Sequence, residues 1–288
     1  MLILHDPRCA DYGRPGHPER PARVVDTAQH LRRTFPDWTW QVPVPADDDA
    51  LRRAHRDDLL RRLTVEADFD GDTAWFPGIA DHARRAAGGA MAAADAALSG
   101  QAAFSLMRPP GHHATDRQAM GFCYLNSVAV AALAARTRVD RVAVWDFDAH
   151  HGNGTEDILR GRAGTLFVSV HQHPGYPGTG TASYDNCRNF PVAPRTPRAQ
   201  HMEELARSWQ EIEAFHPQLV LVSAGFDAYA DDPITEMTLV RDDFATLGRW
   251  LRASRLPAAA VLEGGYSPDL PQLVSAFLGA WTGEERGR

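Results

Sequence analysis

The run Val142-Ala143-Val144-Trp145 passes without a break into Asp146-Phe147-Asp148-Ala149-His150-His151-Gly152-Asn153-Gly154. A short β-branched and aromatic run with no polar side chain describes a strand buried on both faces. Such a strand needs a layer on each side, which points to a sheet sandwiched between helices. Side chains alternate along an extended chain, so Asp146, Asp148 and His150 are expected to share a side if extension persists past Phe147. Two carboxylates and an imidazole at the mouth of a buried strand are costly to desolvate, and a divalent cation would offset that cost. The competing reading is a satisfied strand-end aspartate followed by a surface histidine pair.

The rest of the chain repeats the pattern. Short apolar runs at Met1–His5, Ala103–Met107, Thr165–Val170, Leu219–Ser223 and Ala258–Leu262 read as strands. Between them, Ala22 to Phe35, Ile79 to Leu98, Tyr124 to Arg136, Gln200 to Phe215, Leu239 to Leu251 and Leu270 to Trp281 read as helices, with one or two more in Asp47–Leu63 and a short one at Thr155–Leu159. Thr179–Arg198 reads as irregular. Strands alternating with helices predict a mostly parallel sheet covered on both faces, and the absence of repeats and linkers predicts one domain over residues 1–288. Several strands exit into polar, Gly-containing loops, and open α/β sheets bind ligands at the carboxyl ends of their strands. That edge would gather His112, His113, Asp146, Asp148, His150, Asp227 and Tyr266.

Composition excludes more than it selects. With 44% hydrophobic and 23% charged residues, the 288-residue chain has the make-up of a soluble globular protein. No apolar stretch reaches the ~18 residues of a membrane span, and the N-terminus is apolar too briefly for a signal peptide. A cytoplasmic protein is therefore expected. Cys9, Cys123 and Cys187 are too scattered for a thiolate metal site and suit a reducing compartment. The formal charge of −7 argues against nucleic-acid binding and is compatible with cationic substrates.

A catalytic zinc takes three protein ligands and leaves one position open. Asp148 and His150 supply two, and Asp227, after Ala224-Gly225-Phe226, is the best candidate for the third, although a structural turn aspartate would look the same. The cation would acidify a water toward pH ~7, and the tandem His112-His113 is suited to moving its proton. Asp146 and Asn153 can each orient one imidazole. A carboxylate partner keeps a histidine basic and an amide leaves its pKa lower, so the two rings are expected to differ in protonation. Tyr266, after two glycines, can donate to an oxyanion developing on a carbonyl. Together these parts describe metal-assisted hydrolysis of an amide.

The segments Arg108-Pro109-Pro110-Gly111-His112-His113-Ala114, Gly121-Phe122-Cys123-Tyr124-Leu125-Asn126, Asp146 through Gly154, Ser223-Ala224-Gly225-Phe226-Asp227 and Glu263-Gly264-Gly265-Tyr266 resemble the zinc-dependent histone deacetylases, in particular their class II and bacterial members. His17-Pro18-Glu19-Arg20-Pro21 and Asp70-Gly71-Asp72-Thr73 extend the resemblance over nearly the whole chain, in order. It implies an arginase/deacetylase-like three-layer α/β/α fold, one zinc on Asp148, His150 and Asp227, and His112 and His113 as a base and acid pair oriented by Asp146 and Asn153. Tyr266 would polarise the substrate carbonyl. The resemblance further implies a potassium ion near Asp146 and Ser169, an acyl-lysine tunnel walled by Phe122 and Tyr176, and a substrate-facing carbonyl on Gly121. Asp72 would be a rim aspartate holding the substrate backbone, and Arg23 an inner-cavity arginine.

The implied substrate is an acyl-lysine protein or peptide, or a small acylated amine. Ile234 stands where the polyamine-selective branch carries glutamate, which disfavours acetylpolyamines. Two rivals remain. A two-metal ureohydrolase on the same fold would need carboxylates where Gly152 and Tyr229 stand. A non-catalytic acyl-lysine binder would have lost a ligand, a tandem histidine or Tyr266. The sequence is silent on oligomeric state.

Overall fold

A computed structural model of the chain describes residues 1–285. In chain order it contains β1 (Leu2–Leu4), α1 (Ala22–Thr34), β2 (Thr39–Gln41), α2 (Asp48–Leu51), α3 (Asp57–Arg62), α4 (Ile79–Leu98), β3 (Ala103–Ser105), α5 (Ser127–Ala135), β4 (Val142–Asp146), α6 (Asn153–Leu159), β5 (Thr165–Gln172), β6 (Cys187–Val192), α7 (Arg198–Phe215), β7 (Leu219–Ala224), α8 (Arg241–Ser254), β8 (Ala258–Leu262) and α9 (Leu270–Thr282). The strands form one sheet in the order β2-β1-β3-β8-β7-β4-β5-β6, and every pairing is parallel. Among the described residues no helix is long and apolar enough to cross a membrane.

The two-residue period of the strands divides the core. Ile3, Phe104, Ala143, Trp145, Val220 and Val222 face one layer, where they meet Leu31, Trp209, Phe244 and Phe277 from α1, α7, α8 and α9. Leu2, Leu4, Val142, Val144, Leu219 and Leu221 face the other, against Leu51, Ala87, Ala90, Val128 and Leu159 from α2, α4, α5 and α6. Val142 through Trp145 are completely buried, as a strand covered on both faces must be. Alanine and glycine over much of α4 let it lie close to the sheet, and Ala87, Ala90 and Ala93 are fully buried.

Parallel pairing sends the carboxyl ends of β3, β8, β7, β4 and β5 to one edge, side by side. Strand β4 ends at Asp146, so the extension expected through His150 does not persist. The Asp148 N–H donates to Asp146 Oδ1 (3.1 Å), which folds the chain into a turn instead. Two further differences lie at the sheet margins, where β2 and β6 occupy stretches without a recognisable strand pattern.

Candidate active site

Strands β4 and β7 pair in register from Val142–Leu219 to Asp146–Ser223, so the loops leaving them start level. Asp148 and His150 leave β4, Asp227 leaves β7, and one ligand atom from each lies within 4.8 Å of the others. His150 Nδ1 faces Asp227 Oδ2 at 2.8 Å and Asp148 Oδ1 at 3.2 Å. Backbone donors aim the carboxylates: Ala149 N–H reaches Asp227 Oδ1 (2.8 Å) and Gly264 N–H reaches Asp148 Oδ2 (2.7 Å). Gly225 and Gly264 leave the room for them, because a Cβ at either position would overlap the Asp148 carboxyl, and at Gly264 the Asp227 carboxyl as well.

Burial and the Asp148 charge push the Asp227 carboxyl above its usual range. For Asp148, burial acts in the same direction but is outweighed by His112 and His150, which hold it low. Two buried acids sharing one imidazole, with backbone packed around them, form a donor set that fits a single divalent cation.

The tandem histidines follow β3 and come up beside this cluster. His112 Nδ1 donates to Asp146 Oδ2 at 3.1 Å, which leaves Nε2 3.8 Å from Asp148 Oδ1. His113 Nδ1 donates to Asn153 Oδ1 at 2.8 Å. The rings lie 4.0 Å apart between centroids, and both are buried. Their environments differ as their partners do. Burial opposes the charge on His112, but Asp148 and Asp146 outweigh it and push the ring up to about 10. Burial, reinforced by the neighbouring His112 and His150 rings, holds His113 well below its ordinary value.

Tyr266 follows β8 and is almost fully buried, and its ring meets Phe122 edge-on at 5.8 Å. Arg23 lies over the same ring at 4.7 Å and donates to Gly265 O (2.7 Å) and to Glu263 O. Tyr176 packs edge-on against His113 at 5.0 Å, and a side chain on Gly121 would run into both His113 and Tyr176. Asp72 is exposed in a loop fastened to the site through Thr73, whose hydroxyl accepts Phe122 N–H (3.0 Å). Ile234 is 40% exposed and lines a cleft together with Tyr266.

Ser169 is the register neighbour of Asp146 on β5. Its hydroxyl lies 2.9 Å from His171 Nδ1, while His171 Nε2 donates to Gly180 O at 3.0 Å. That tautomer makes Ser169 the donor, so its oxygen lone pairs stay free to meet a cation.

Three buried acids that sequence reasoning passed over hold this geometry. Glu263 directly follows β8, and its Oε2 accepts Gly111 N–H (2.7 Å) and His112 N–H (3.1 Å). Burial outweighs its favourable contacts and pushes it up to about 7. Glu19 is buried between Arg108 and Arg23. Asp232 Oδ2 accepts Tyr266 N–H at 2.7 Å. Only Glu263 carried a signal, an acid set between an apolar run and a Gly-Gly pair, where a buried charge needs partners.

A parallel α/β sheet with an acid–imidazole–acid cluster and a histidine pair at its carboxyl edge is the frame of an amide hydrolase. The histone deacetylase domain matches residues 17–280. A probable deacetylase of Methanothermobacter thermautotrophicus is 35% identical over 306 residues, covering 99% of this chain and 92% of that protein. A histone deacetylase-like amidohydrolase of Pseudomonas aeruginosa is 41% identical over 246 residues, covering 77% and 65%. The crystal structure of an acetylpolyamine aminohydrolase from Burkholderia pseudomallei superposes with a TM-score of 0.86 at 28% identity, over 99% of each chain. The chain belongs to the histone deacetylase family, and it is a hydrolase acting on amides.

Proposed function

We propose that residues 1–288 form a single deacetylase domain that removes acetyl or another short acyl group from the ε-amine of acyl-lysine. The observation that carries this reading is the adjacency of the Asp148/His150/Asp227 cluster to two imidazoles with different partners. Asp148, His150 and Asp227 would hold zinc, and Asp146 and Ser169 a structural potassium ion. Zinc in that position supplies Lewis acidity, polarising the acyl carbonyl and acidifying a water.

His113 is neutral and oriented by Asn153, so it accepts the water's proton. His112, hydrogen-bonded through Nδ1 to Asp146, stands beside the site where negative charge gathers on the carbonyl oxygen, and the leaving amine takes its proton from the pair. Burial pushes the Tyr266 hydroxyl well above its ordinary value, so it keeps its proton and donates it as a hydrogen bond to that oxygen. Phe122 and Tyr176 exclude water along the acyl-lysine arm, Gly121 offers its carbonyl to the amide N–H, and Asp72 holds the substrate backbone at the rim.

A second reading, an acylated polyamine or other small amine as substrate, is favoured by the likeness to the acetylpolyamine aminohydrolase and by half-buried Asp70 and exposed Asp72 at the rim. Assaying the zinc-loaded protein against acyl-lysine peptides and acetylpolyamines tests both. Turnover of peptides by at least about tenfold in kcat/KM over polyamines is expected. Hydrolysis of neither class would sink the deacylase reading.

A further inference from the structure

Beside Tyr266 a cleft of about 570 Å³ opens to the surface, and its charged lining is of one sign. Arg14, His17 and Arg20 line it together with Pro15, Pro18, Pro233, Ile234 and Pro268, and no acid contributes to its walls. Its volume lies within the usual range for a small-molecule pocket. The prolines stiffen the walls, and Ile234 presents an apolar shoulder.

The three bases are not equivalent. Arg14 is already committed to Asp68, at 2.9 Å. His17 is engaged by backbone: Nε2 lies 3.3 Å from the Asp72 carbonyl, and Nδ1 lies 3.1 Å from both the N–H and the carbonyl of Glu19. The exposed Arg20 guanidinium makes no hydrogen bond or ion pair with any described residue. Asp232, next in the chain to Pro233, is buried and accepts Ile234 N–H (3.1 Å) and Tyr266 N–H (2.7 Å), and Glu19, next to Arg20, is buried against Arg108 and Arg23. Asp70 and Asp72 do not line the cleft; the Asp72 backbone meets the edge of His17, whose ring packs on Phe122 at 4.7 Å.

From this asymmetry we infer that the cleft is a carboxylate subsite, with Arg20 as its anchor, and that the preferred substrates are acylated amines carrying a carboxylate at the far end of the chain. The inference rests on the deacylase reading and sharpens its substrate class. A planar guanidinium with open donors pairs with a carboxylate through two parallel hydrogen bonds, and it repels the free ammonium of a polyamine. An acylated amino acid, or an acyl-lysine at a peptide's carboxyl terminus, has the required chemistry.

Three compounds with the same acetamidopentyl arm isolate the effect: 6-acetamidohexanoate, its primary amide, and N-acetylcadaverine. The carboxylate is expected to exceed the amide in kcat/KM by about tenfold, through KM, with the amine lowest. Arg20→Gln should collapse the carboxylate-to-amide ratio, and Arg20→Lys should keep most of it. Salt should compress the ratio, since the anchor is exposed. Calorimetric binding to metal-free protein should follow the same Arg20-dependent order.

Equal rates for carboxylate and amide, a preference for the amine, or a ratio indifferent to Arg20→Gln would each overturn the subsite while leaving amide hydrolysis intact. Turnover confined to peptides with internal acyl-lysine would overturn it as well. If none of these compounds and no acyl-lysine peptide is hydrolysed, the deacylase reading fails first, and the subsite falls with it.

Discussion

Two clusters of buried charge lie on either side of the Glu263–Tyr266 loop, and they are built on opposite balances. In one, Glu19 sits between two guanidiniums: Arg108 Nη2 lies 2.6 Å from Glu19 Oε2, and Arg23 Nη1 lies 3.3 Å from Oε1. Surplus donors go to carbonyls, Arg108 to Cys9 O (2.7 Å) and Arg23 to Gly265 O (2.7 Å). Burial alone would raise the Glu19 carboxyl, but the Arg108 and Arg23 charges outweigh it and hold the acid below its ordinary range. In the other cluster, Asp146, Asp148 and Asp227 are all fully buried, and among the described residues the side chains that pair with them are the imidazoles of His112 and His150. The first cluster is closed and the second is short of positive charge. An ion pair completed within the chain serves the scaffold, whereas an acid surplus held open by backbone and glycine is where a cation and chemistry belong.

The sharpest break of this contrast is Asp227→Asn, which keeps an acceptor for Ala149 N–H and removes one charge. Metal content is expected to drop from about one ion per chain toward zero, and turnover by about 10³-fold or more. The metal-free variant should be no less stable than the metal-free parent in urea, because a like-charge contact has been relieved. A loss of several kcal/mol there would put Asp227 in the same class as Glu19. Next in size is Tyr266→Phe, for which a fall in kcat of about 10²- to 10³-fold is expected with metal content unchanged. Parallel loss of metal would mean that Tyr266 shapes the cluster instead of meeting the substrate. Glu19→Ala should do the reverse of Asp227→Asn, lowering urea stability by about 3–5 kcal/mol through two stranded buried guanidiniums. A neutral result would show that water or backbone can replace the acid.

This difference between the clusters also explains what the sequence makes legible. Asp148, His150 and Asp227 stand out because each follows an apolar run and breaks it, and parallel pairing brings such breaks to one edge. Strand alternation does not join Asp148 to His150; a turn in which Asp148 N–H donates to Asp146 Oδ1 does. The central strands β4, β7 and β8 are buried on both faces and read as continuous apolar runs. The edge strands β2 and β6 do not. Thr39 and Gln41 are exposed, β6 carries polar residues and Pro191, and an edge tolerates both because one side of the ladder has no partner. Glu19 and Glu263 stayed hidden for another reason. Arg108, which holds Glu19, is 89 residues from it, and Gly111, which donates to Glu263, is 152 residues from it, so only the fold brings them into contact.

Histidines sharpen the comparison at its fine end, because the scaffold also buries imidazoles but leaves them neutral. His55 donates from Nδ1 to Thr115 O (2.9 Å) and accepts Asn126 N–H at Nε2 (2.9 Å), so both nitrogens are taken and the ring has no carboxylate partner. Burial pulls it down to about 4, from an ordinary value near 6.5. The folded chain therefore resists a proton that the unfolded chain accepts, and the stability due to this group is complete above pH ~6.5 and is lost as pH falls toward 4. That single site should remove about 1 kcal/mol of unfolding free energy at pH 5.5 and at most about 3 kcal/mol at still lower pH. His55→Gln, which can keep one donor and one acceptor, should flatten the pH dependence of urea unfolding between pH 7.5 and 5.5 by that amount. An unchanged slope would mean that His55 is protonated in the folded protein, and its resemblance to His113 rather than His112 would be lost.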